Sequence, residues 1–151
     1  MPLLSLHTPV GDITVFEAHG AIVSLDWGWV QEQEASPVLD TARAQLDAYF
    51  DGALKEFDLP LAPAGTTYRR AVWQALCDIP YGETRSYRDI AAKAGGSARS
   101  VGQANGRNPI PLIIPCHRVV ATTHIGGYSG GEGLPTKRWL LALENPDRTL
   151  L

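Results

Sequence analysis

The sequence predicts an α+β protein in two parts, a small sheet with one helix in residues 1–65 and a mainly helical part in residues 66–151. Three observations support this prediction. Short β-branched and aromatic runs occur near the start, helix-capping patterns recur after residue 65, and the Pro- and Gly-rich stretch 59–65 separates the two parts. Hydrophobic residues make up 44% of the chain and charged residues 19%, which is typical of a folded globular protein.

The charge of the chain is unevenly distributed. Residues 1–66 carry two basic and ten acidic side chains, a balance of −8, whereas residues 67–120 carry eight basic and three acidic ones, a balance of +5. Residues 121–151 are balanced, so the net charge of −3 hides a basic segment. Such a segment is either a solvated surface or a nucleic-acid-binding surface, and charge alone does not distinguish them.

In the first part, the runs Ile13–Phe16 and Ala21–Trp27 flank His19-Gly20, which predicts a β-hairpin. A helix is predicted to follow. Ser36 is a suitable N-cap, Pro37 suits the first helical position, and apolar residues recur at helical spacing until Gly52.

The cysteines and the N-terminal residues indicate the cellular setting. Cys77 and Cys116 lie in different contexts without the spacing of a disulfide framework or a zinc site, so we expect neither a metal nor another cofactor. Cys77, beside Leu76, is expected to be a core residue. No basic leader and no apolar run of about 18 residues is visible, so we expect a cytoplasmic protein, or a nuclear one in a eukaryote, rather than a secreted or membrane protein.

The second part begins with three predicted helices. They cover Tyr68–Ile79, Tyr87–Ala94 with Ser86 as N-cap, and Ala98–Gly106 with Ser97 as N-cap. Gly95-Gly96 joins the last two helices as a tight turn, which is typical of a helix-turn-helix. Such pairs also occur as plain packing units, so the motif alone does not establish DNA binding.

The helix Ala98–Gly106 is built mostly of small residues, with Arg99 as its one long cation. A major-groove reader normally presents several long polar side chains to the base edges. Small side chains with a single arginine instead suit close contact with a minor groove and insertion of the arginine. The alternative is a tightly packed internal helix on which Arg99 is an ordinary surface charge.

A candidate nucleophile follows Asn108-Pro109. The apolar run Leu112–Ile114 predicts a strand that ends at Pro115 and presents Cys116, and His117 is a base that could activate the thiol as a thiolate. Neighbouring strand residues point to opposite faces, so either the backbone turns at Pro115 or a water bridges the two side chains. A buried structural cysteine is the alternative.

Several ordered motifs together resemble a known family. After the helix-turn-helix come Gly106-Arg107-Asn108-Pro109, then Pro115-Cys116-His117-Arg118-Val119, then Gly127-Tyr128-Ser129-Gly130-Gly131, and last the segment KRWLLALE. From Tyr68 to Asn145 the chain resembles the O6-alkylguanine-DNA alkyltransferases, whereas residues 1–65 agree with that family in layout only. The resemblance implies an RNase H-like first part and a winged-helix-like second part that binds DNA.

The resemblance also implies a reaction. The protein would repair DNA directly, moving an alkyl group from O6 of guanine in duplex DNA to its own cysteine in a single turnover. Cys116 would be the nucleophile, His117 would take its proton through a water, Glu144 would orient His117, and Tyr87 would give a proton to the leaving base.

The family's DNA contacts are carried over in the same way. Because O6 lies inside the duplex, the base must flip out; Arg99 would fill the vacated space, and Tyr128 and Ser129 would close on the base. Val119 would contact its exocyclic amine through the backbone, and Asn108 would tie the recognition helix to the cysteine loop. The remaining expected DNA-facing residues, on the same helix as Arg99, are Ser100, Gly102, Gln103 and Ala104.

Three other functions account for fewer of these motifs. An alkyltransferase-like protein that only binds damaged DNA lacks the cysteine, a cysteine hydrolase does not need the small-residue helix, and a simple helix-turn-helix regulator leaves the PCHRV and YSGG motifs unexplained. We expect a monomer whose partner is duplex DNA containing O6-alkylguanine, with no membrane and no metal. The segment Ala121–Gly127 is one residue shorter than usual in the family, which leaves the preferred alkyl group open.

Overall fold

The computed structural model describes residues 1–147, which divide into two compact units, the first Met1–Ala64 and the second beginning at Gly65. Within the described residues, no helix combines the length and the hydropathy needed to cross a membrane.

The first unit contains a three-stranded antiparallel sheet. Its strands are β1 (Leu3–Leu6), β2 (Ile13–Ala18) and β3 (Ala21–Trp27), paired in that order. His19 and Gly20 join β2 to β3 with φ angles of 52° and 80°, and two successive positive φ angles are what a tight two-residue hairpin turn requires. The hairpin prediction is confirmed, whereas β1 had not been predicted.

One helix, α1 (Pro37–Phe50), packs against this sheet. The Ser36 hydroxyl accepts a hydrogen bond of 3.3 Å from the Leu39 N–H, and Pro37 occupies the first turn, as predicted. The buried face of α1 consists of Leu39, Ala42, Leu46 and Tyr49. Burial of this apolar stripe is what holds the helix on the sheet.

The second unit is mainly helical. Its elements are α2 (Thr67–Cys77), β4 (Arg85–Ser86), α3 (Tyr87–Ala94), α4 (Ala98–Gly106), a 3₁₀ turn (Cys116–Arg118), β5 (Val119–Val120) and α5 (Leu134–Glu144). Helices α2, α3 and α4 pack on one another, and α5 packs on the 3₁₀ turn. The short parallel pair β4·β5, which had not been predicted, fixes the start of α3 beside the chain that leaves the 3₁₀ turn.

Reciprocal capping defines the two helices of the helix-turn-helix. At α3 the Ser86 hydroxyl accepts from the Asp89 N–H while the Asp89 carboxylate accepts from the Ser86 N–H, both at 3.0 Å. At α4 Ser97 and Ser100 make the same exchange at 3.1 and 2.9 Å. Both capping boxes satisfy backbone N–H groups that the helix itself leaves free. The helix-turn-helix prediction is confirmed.

The prediction for Cys77 is wrong. It lies in the last turn of α2 and is exposed, because the buried face of that helix is formed by Val72, Trp73, Ala75 and Leu76. The spacing of the apolar residues therefore turns Cys77 away from the core.

Candidate active site

The chain that carries Cys116 is a series of tight turns. The Ile114 N–H donates to the Ile110 carbonyl at 2.9 Å, the Cys116 N–H to the Ile114 carbonyl at 2.8 Å, and the Arg118 N–H to the Pro115 carbonyl at 3.0 Å. The predicted strand Leu112–Ile114 is therefore wrong. The N–H groups of Ile113 and Ile114 bond back to the Pro111 and Ile110 carbonyls, both at 2.9 Å, and are not available to a strand ladder. The apolar run therefore reflects burial and not strand pairing.

Two asparagines hold these turns. The Asn108 side chain donates to the Ile114 carbonyl at 2.8 Å and accepts from the Ile110 N–H at 2.9 Å. Asn105, on α4, donates to the Cys116 carbonyl at 3.3 Å. The cysteine turn is thus hydrogen-bonded directly to the helix that follows the glycine turn of the helix-turn-helix. Asn105 had not been singled out from the sequence.

His117, Arg118 and Glu144 form a buried network. The His117 Nε2 atom lies 2.7 Å from Glu144 Oε2, and the Arg118 guanidinium binds both carboxylate oxygens, at 2.8 and 3.0 Å. Arg118 also donates to the Ile79 carbonyl at 2.8 Å. All three side chains are at most 8% exposed. The structure brings His117 and Glu144 together as expected from the resemblance, and it adds Arg118 as the charge partner of the carboxylate.

This network determines how His117 can act. Burial raises the pKa of Glu144, but the charges of His117 and Arg118 and the hydrogen bonds from both more than offset this and hold that pKa well below its usual range. An ionised Glu144 accepts a hydrogen bond from the His117 Nε2–H, so a neutral imidazole in this position has its lone pair at Nδ1. The Nδ1 atom is buried and has no hydrogen-bond partner within residues 1–147. It is therefore the ring nitrogen that is available to accept a proton.

The Cys116 sulfur lies in a closed environment. The residue is 6% exposed, and burial raises the pKa of its thiol. The Asn108 amide, the Lys137 ammonium and the Tyr128 hydroxyl oppose this effect by stabilising the thiolate. Because burial dominates, the resting cysteine holds its proton and must lose it during the reaction.

Lys137 lies beside the site and was not expected there from the sequence. Its side chain is fully buried, and its ammonium donates to the carbonyls of Val119 at 2.7 Å and Gly127 at 2.9 Å. Burial lowers the pKa of Lys137 to about 8, against the opposing influence of Cys116. The lysine therefore joins β5 to the loop before Tyr128 and places a positive charge near the sulfur. Its position inside the apolar terminal helix was the signal that could have identified it, since a buried lysine requires partners.

Two tyrosines complete the surroundings of the sulfur. Burial raises the pKa of Tyr128, as does the nearby Cys116, so its phenol stays protonated; its hydroxyl is buried without a hydrogen bond of regular geometry in the described chain. The pKa of Tyr87, in the first turn of α3, is likewise raised by burial. Gly126, with a φ of 78°, allows the loop to approach Tyr87, because a Cβ there would lie 2.9 Å from the Tyr87 hydroxyl oxygen.

The other expected site residues lie along α4 and in the loop before α5. Arg99, Gln103 and Ser129 are exposed, Ser100 and Gly102 are half-buried, and Ala104 is in the core, where its carbonyl accepts from the Trp73 indole at 2.8 Å. A Cβ at Gly102 would lie 3.8 Å from the Tyr87 ring, so α4 passes close to that phenol. Within residues 1–147, no three carboxylate, imidazole or thiol side chains are arranged to hold a metal ion.

Two family models together match nearly the whole chain. The 6-O-methylguanine DNA methyltransferase ribonuclease-like domain matches residues 4–63, and the DNA-binding domain of the same family matches residues 67–146. The expected fold class, a ribonuclease-like first part followed by a helical DNA-binding part, is thereby confirmed.

Individual relatives agree with this match. The methylated-DNA–protein-cysteine methyltransferase of Methanosarcina barkeri is 41% identical over 153 residues, covering 92% of this chain and 94% of the relative. The constitutive enzyme of that name from Bacillus subtilis is 42% identical over 151 residues, covering 91% of each. A crystal structure of Mycobacterium tuberculosis OGT in complex with DNA superposes with a TM-score of 0.84 at 41% identity, covering 95% of this chain and 93% of the other.

Proposed function

The chain belongs to the 6-O-methylguanine DNA methyltransferase family, the O6-alkylguanine-DNA alkyltransferases that its motifs resemble, and from that premise we propose how its own residues carry out the reaction. As a member of this family it is a transferase of DNA repair by alkyl transfer. We propose that it moves one alkyl group from O6 of guanine in duplex DNA to the Cys116 sulfur. The observation that carries this proposal is the buried Cys116 next to the His117–Glu144 pair. The same unit contains helix α4 with its exposed Arg99.

The chemical step begins with removal of the thiol proton. The free Nδ1 atom of His117 accepts this proton through a bridging water, while Nε2–H remains bonded to Glu144. Because Arg118 already neutralises Glu144, the carboxylate orients the imidazole and stabilises its charged form without becoming protonated. The Lys137 ammonium stabilises the thiolate that forms.

Transfer then forms the sulfur–carbon bond as the bond between O6 and the alkyl carbon breaks. The electron pair of the broken bond leaves with the guanine, and Tyr87 donates a proton to the departing base. The raised pKa of Tyr87 keeps the phenol protonated until that moment. The proton held by His117 then passes through solvent to the Tyr87 phenolate and regenerates the phenol. Since the product is a stable thioether, the sulfur is not regenerated and each protein molecule acts once.

Access to O6 requires the base to leave the duplex, which costs a few kcal/mol in stacking and pairing. We assign this step to α4, with Arg99 filling the vacated space while Ser100, Gly102 and Gln103 form the surface that approaches the minor groove. Ala104, expected from the resemblance to face DNA, is buried in the core and does not belong to that surface. Tyr128 and Ser129 close on the flipped base. The Val119 carbonyl accepts a hydrogen bond from the exocyclic amine of the flipped base. The Lys137 ammonium already donates to the same oxygen and holds it in place.

The two parts of the chain have different roles in this proposal. Residues 66–151 carry both DNA binding and chemistry, and residues 1–65 carry neither, because all the groups assigned above belong to the second part. The protein is proposed to act as a monomer on alkylated duplex DNA, in the cytoplasm or in a eukaryotic nucleus, without a cofactor.

An intact-mass measurement tests transfer directly. The protein is incubated with a duplex that contains one O6-methylguanine, and we expect a gain of one methyl group that stops at one equivalent. Cys116→Ala removes the gain, whereas Cys77→Ala retains it, because Cys77 is the exposed cysteine of α2. Repeated turnover, or a methyl group that remains on Cys116→Ala, contradicts the proposal.

The role of Arg99 is tested by comparing two substrates. Arg99→Ala should slow transfer from the duplex about 10- to 100-fold, the scale of a lost side chain that stabilises an extruded base, and leave transfer from a free O6-alkylguanine base unchanged. Single-turnover rates on both substrates measure this. Arg43→Ala, which removes an exposed charge from α1, is the matched control. Equal losses on the two substrates would remove Arg99 from the extrusion step.

A further inference from the structure

Tyr68 connects three helices at the turn of the helix-turn-helix. It lies in the first turn of α2, and its hydroxyl donates to the Gly95 carbonyl at 2.9 Å. The same hydroxyl lies 2.8 Å from the Ser100 Oγ atom. Gly95 ends α3 and Ser100 lies in the first turn of α4, so a single phenol is bonded to both sides of the turn.

The Gly95 carbonyl can only accept, so the single Tyr68 hydroxyl proton is donated to it. The Ser100 hydroxyl also has one proton, which is shared between two acceptors, the Tyr68 oxygen at 2.8 Å and the Ser97 carbonyl at 3.1 Å. The Ser100 oxygen in turn accepts from the Ser97 N–H at 2.9 Å. The capping box of α4 and the tyrosine are therefore one hydrogen-bonded chain.

The glycine turn leaves room for this phenol. Gly96 has a φ of 78°, and a Cβ at that position would overlap the Tyr68 hydroxyl and lie 2.5 Å from the Ser100 Oγ atom. The inside of the turn is thus filled by the tyrosine oxygen. Tyr68, which belongs to α2, therefore holds the end of α3 and the start of α4 in a fixed relation to each other. The exposed Arg99 is the residue directly before Ser100.

We propose that Tyr68 is a positioning residue for DNA recognition: by bonding to Gly95 and Ser100, it fixes the first turn of α4 and so places Arg99 for insertion into the duplex. This inference rests on the proposed function of Arg99. Tyr68 itself does not touch the reacting atoms. It acts by limiting the directions in which the arginine backbone can move.

The test removes one oxygen atom. Tyr68→Phe leaves the ring in place, and we expect transfer from an O6-methylguanine duplex to become about threefold to tenfold slower, the scale of one hydrogen bond. Transfer from a free O6-alkylguanine base should be unchanged, because the cysteine turn keeps its own contacts. Tyr49→Phe, which removes a tyrosine hydroxyl from the first unit, is the control.

A double-mutant comparison separates positioning from general stability. If Tyr68 acts through Arg99, then Tyr68→Phe has no further effect on the duplex rate in an Arg99→Ala background, because the side chain to be placed is gone. Thermal unfolding of every variant is measured in parallel, and the rates are compared below the onset of unfolding.

Each outcome of this test is decisive. An unchanged duplex rate in Tyr68→Phe, equal losses on both substrates, or a full effect that persists without Arg99 overturns the inference. If wild-type protein transfers from neither substrate, the proposed function itself has failed. If wild-type protein transfers from both substrates and Tyr68→Phe transfers at the same rates, only the positioning role of Tyr68 is refuted.

Discussion

The helix-turn-helix and the cysteine turn belong to the same unit but are held together in opposite ways. The caps of α3 and α4 are hydrogen bonds between residues three positions apart, and the charged side chains nearby, such as Arg88 and Arg99, are exposed. At the cysteine turn, Glu144 binds His117 across 27 positions, and Arg118 reaches the Ile79 carbonyl across 39. The charges of this second region are buried.

This difference indicates how each region responds to change. Removing the partner of a solvent-exposed charge changes the free energy of unfolding little. A buried charge left without its partner still carries the free-energy penalty of its lost hydration, which nothing then offsets. We therefore expect large losses of stability at the cysteine turn and small, graded ones at the helix-turn-helix. The predictions below test this contrast, beginning with the largest effect.

Glu144→Gln is expected to lower the free energy of unfolding by about 3–5 kcal/mol, the usual cost of breaking a buried ion pair. The substitution preserves volume but leaves the Arg118 charge buried without its carboxylate. Urea unfolding followed by circular dichroism measures the change.

The exposed pair Glu83–Arg85 provides the matched control. Its atoms lie 3.0 Å apart, but Glu83 is 53% exposed, so Glu83→Gln should change stability by about 1 kcal/mol or less. Similar losses in the two variants would show that the two regions do not differ as described.

Acid is expected to destabilise the folded protein through the same carboxylate. The folded-state pKa of Glu144 is held below its ordinary value of 4.5, so this stabilisation is complete above about pH 4.5 and is lost as the pH falls toward the lowered value. Wild-type stability should therefore fall more steeply than that of Glu144→Gln between about pH 5 and 3. Urea midpoints at several pH values test this, and parallel curves would contradict it.

Lys137→Met is expected to slow alkylation of Cys116 by a small electrophile about threefold to tenfold at pH 7, because the thiol pKa rises further when the ammonium is removed. The effect should shrink above pH 8, where the wild-type lysine, with a pKa of about 8, also loses its charge. Rates in a Cys77→Ala background isolate Cys116. Arg138→Met, which removes an exposed cation from the next position, is the control. Its Cys116 should be alkylated at the wild-type rate.

Ser86→Ala is expected to have the smallest effect, a loss of about 1 kcal/mol from the N-cap of α3. Because water can reach the freed N–H groups, transfer chemistry should be unchanged once the protein is folded. Urea unfolding and the free-base transfer rate measure the two properties. A loss as large as that of Glu144→Gln would remove the contrast between the regions.

Much of the fold followed from short-range patterns. The turn at His19-Gly20 and the N-caps Ser36, Ser86 and Ser97 were readable because each acts on residues within a few positions. The strand β1 and the pair β4·β5 were missed, since short strands have little pattern and depend on distant partners. The predicted strand before Pro115 failed because burial alone makes a segment apolar in any backbone conformation.

The candidate site divides in the same way. Cys116 and His117 were identified from their own motif, and the resemblance supplied Glu144. Asn105 was missed, because an asparagine in a helix gives no signal until the fold buries it against a carbonyl. Lys137 was missed although its place in an apolar helix was a signal, because its partner carbonyls lie in distant segments.

The sequence by itself determined the order of the main helices and turns and pointed to Cys116 as the candidate nucleophile, because capping, turn formation and motif spacing depend on neighbouring residues. Only the tertiary structure decided that the thiol is buried and protonated at rest, that Nδ1 is the free imidazole nitrogen, and that a lysine joins β5 to the loop. The physical reason is that desolvation and pairing of charges depend on which distant segments meet, and no local pattern of residues encodes that directly.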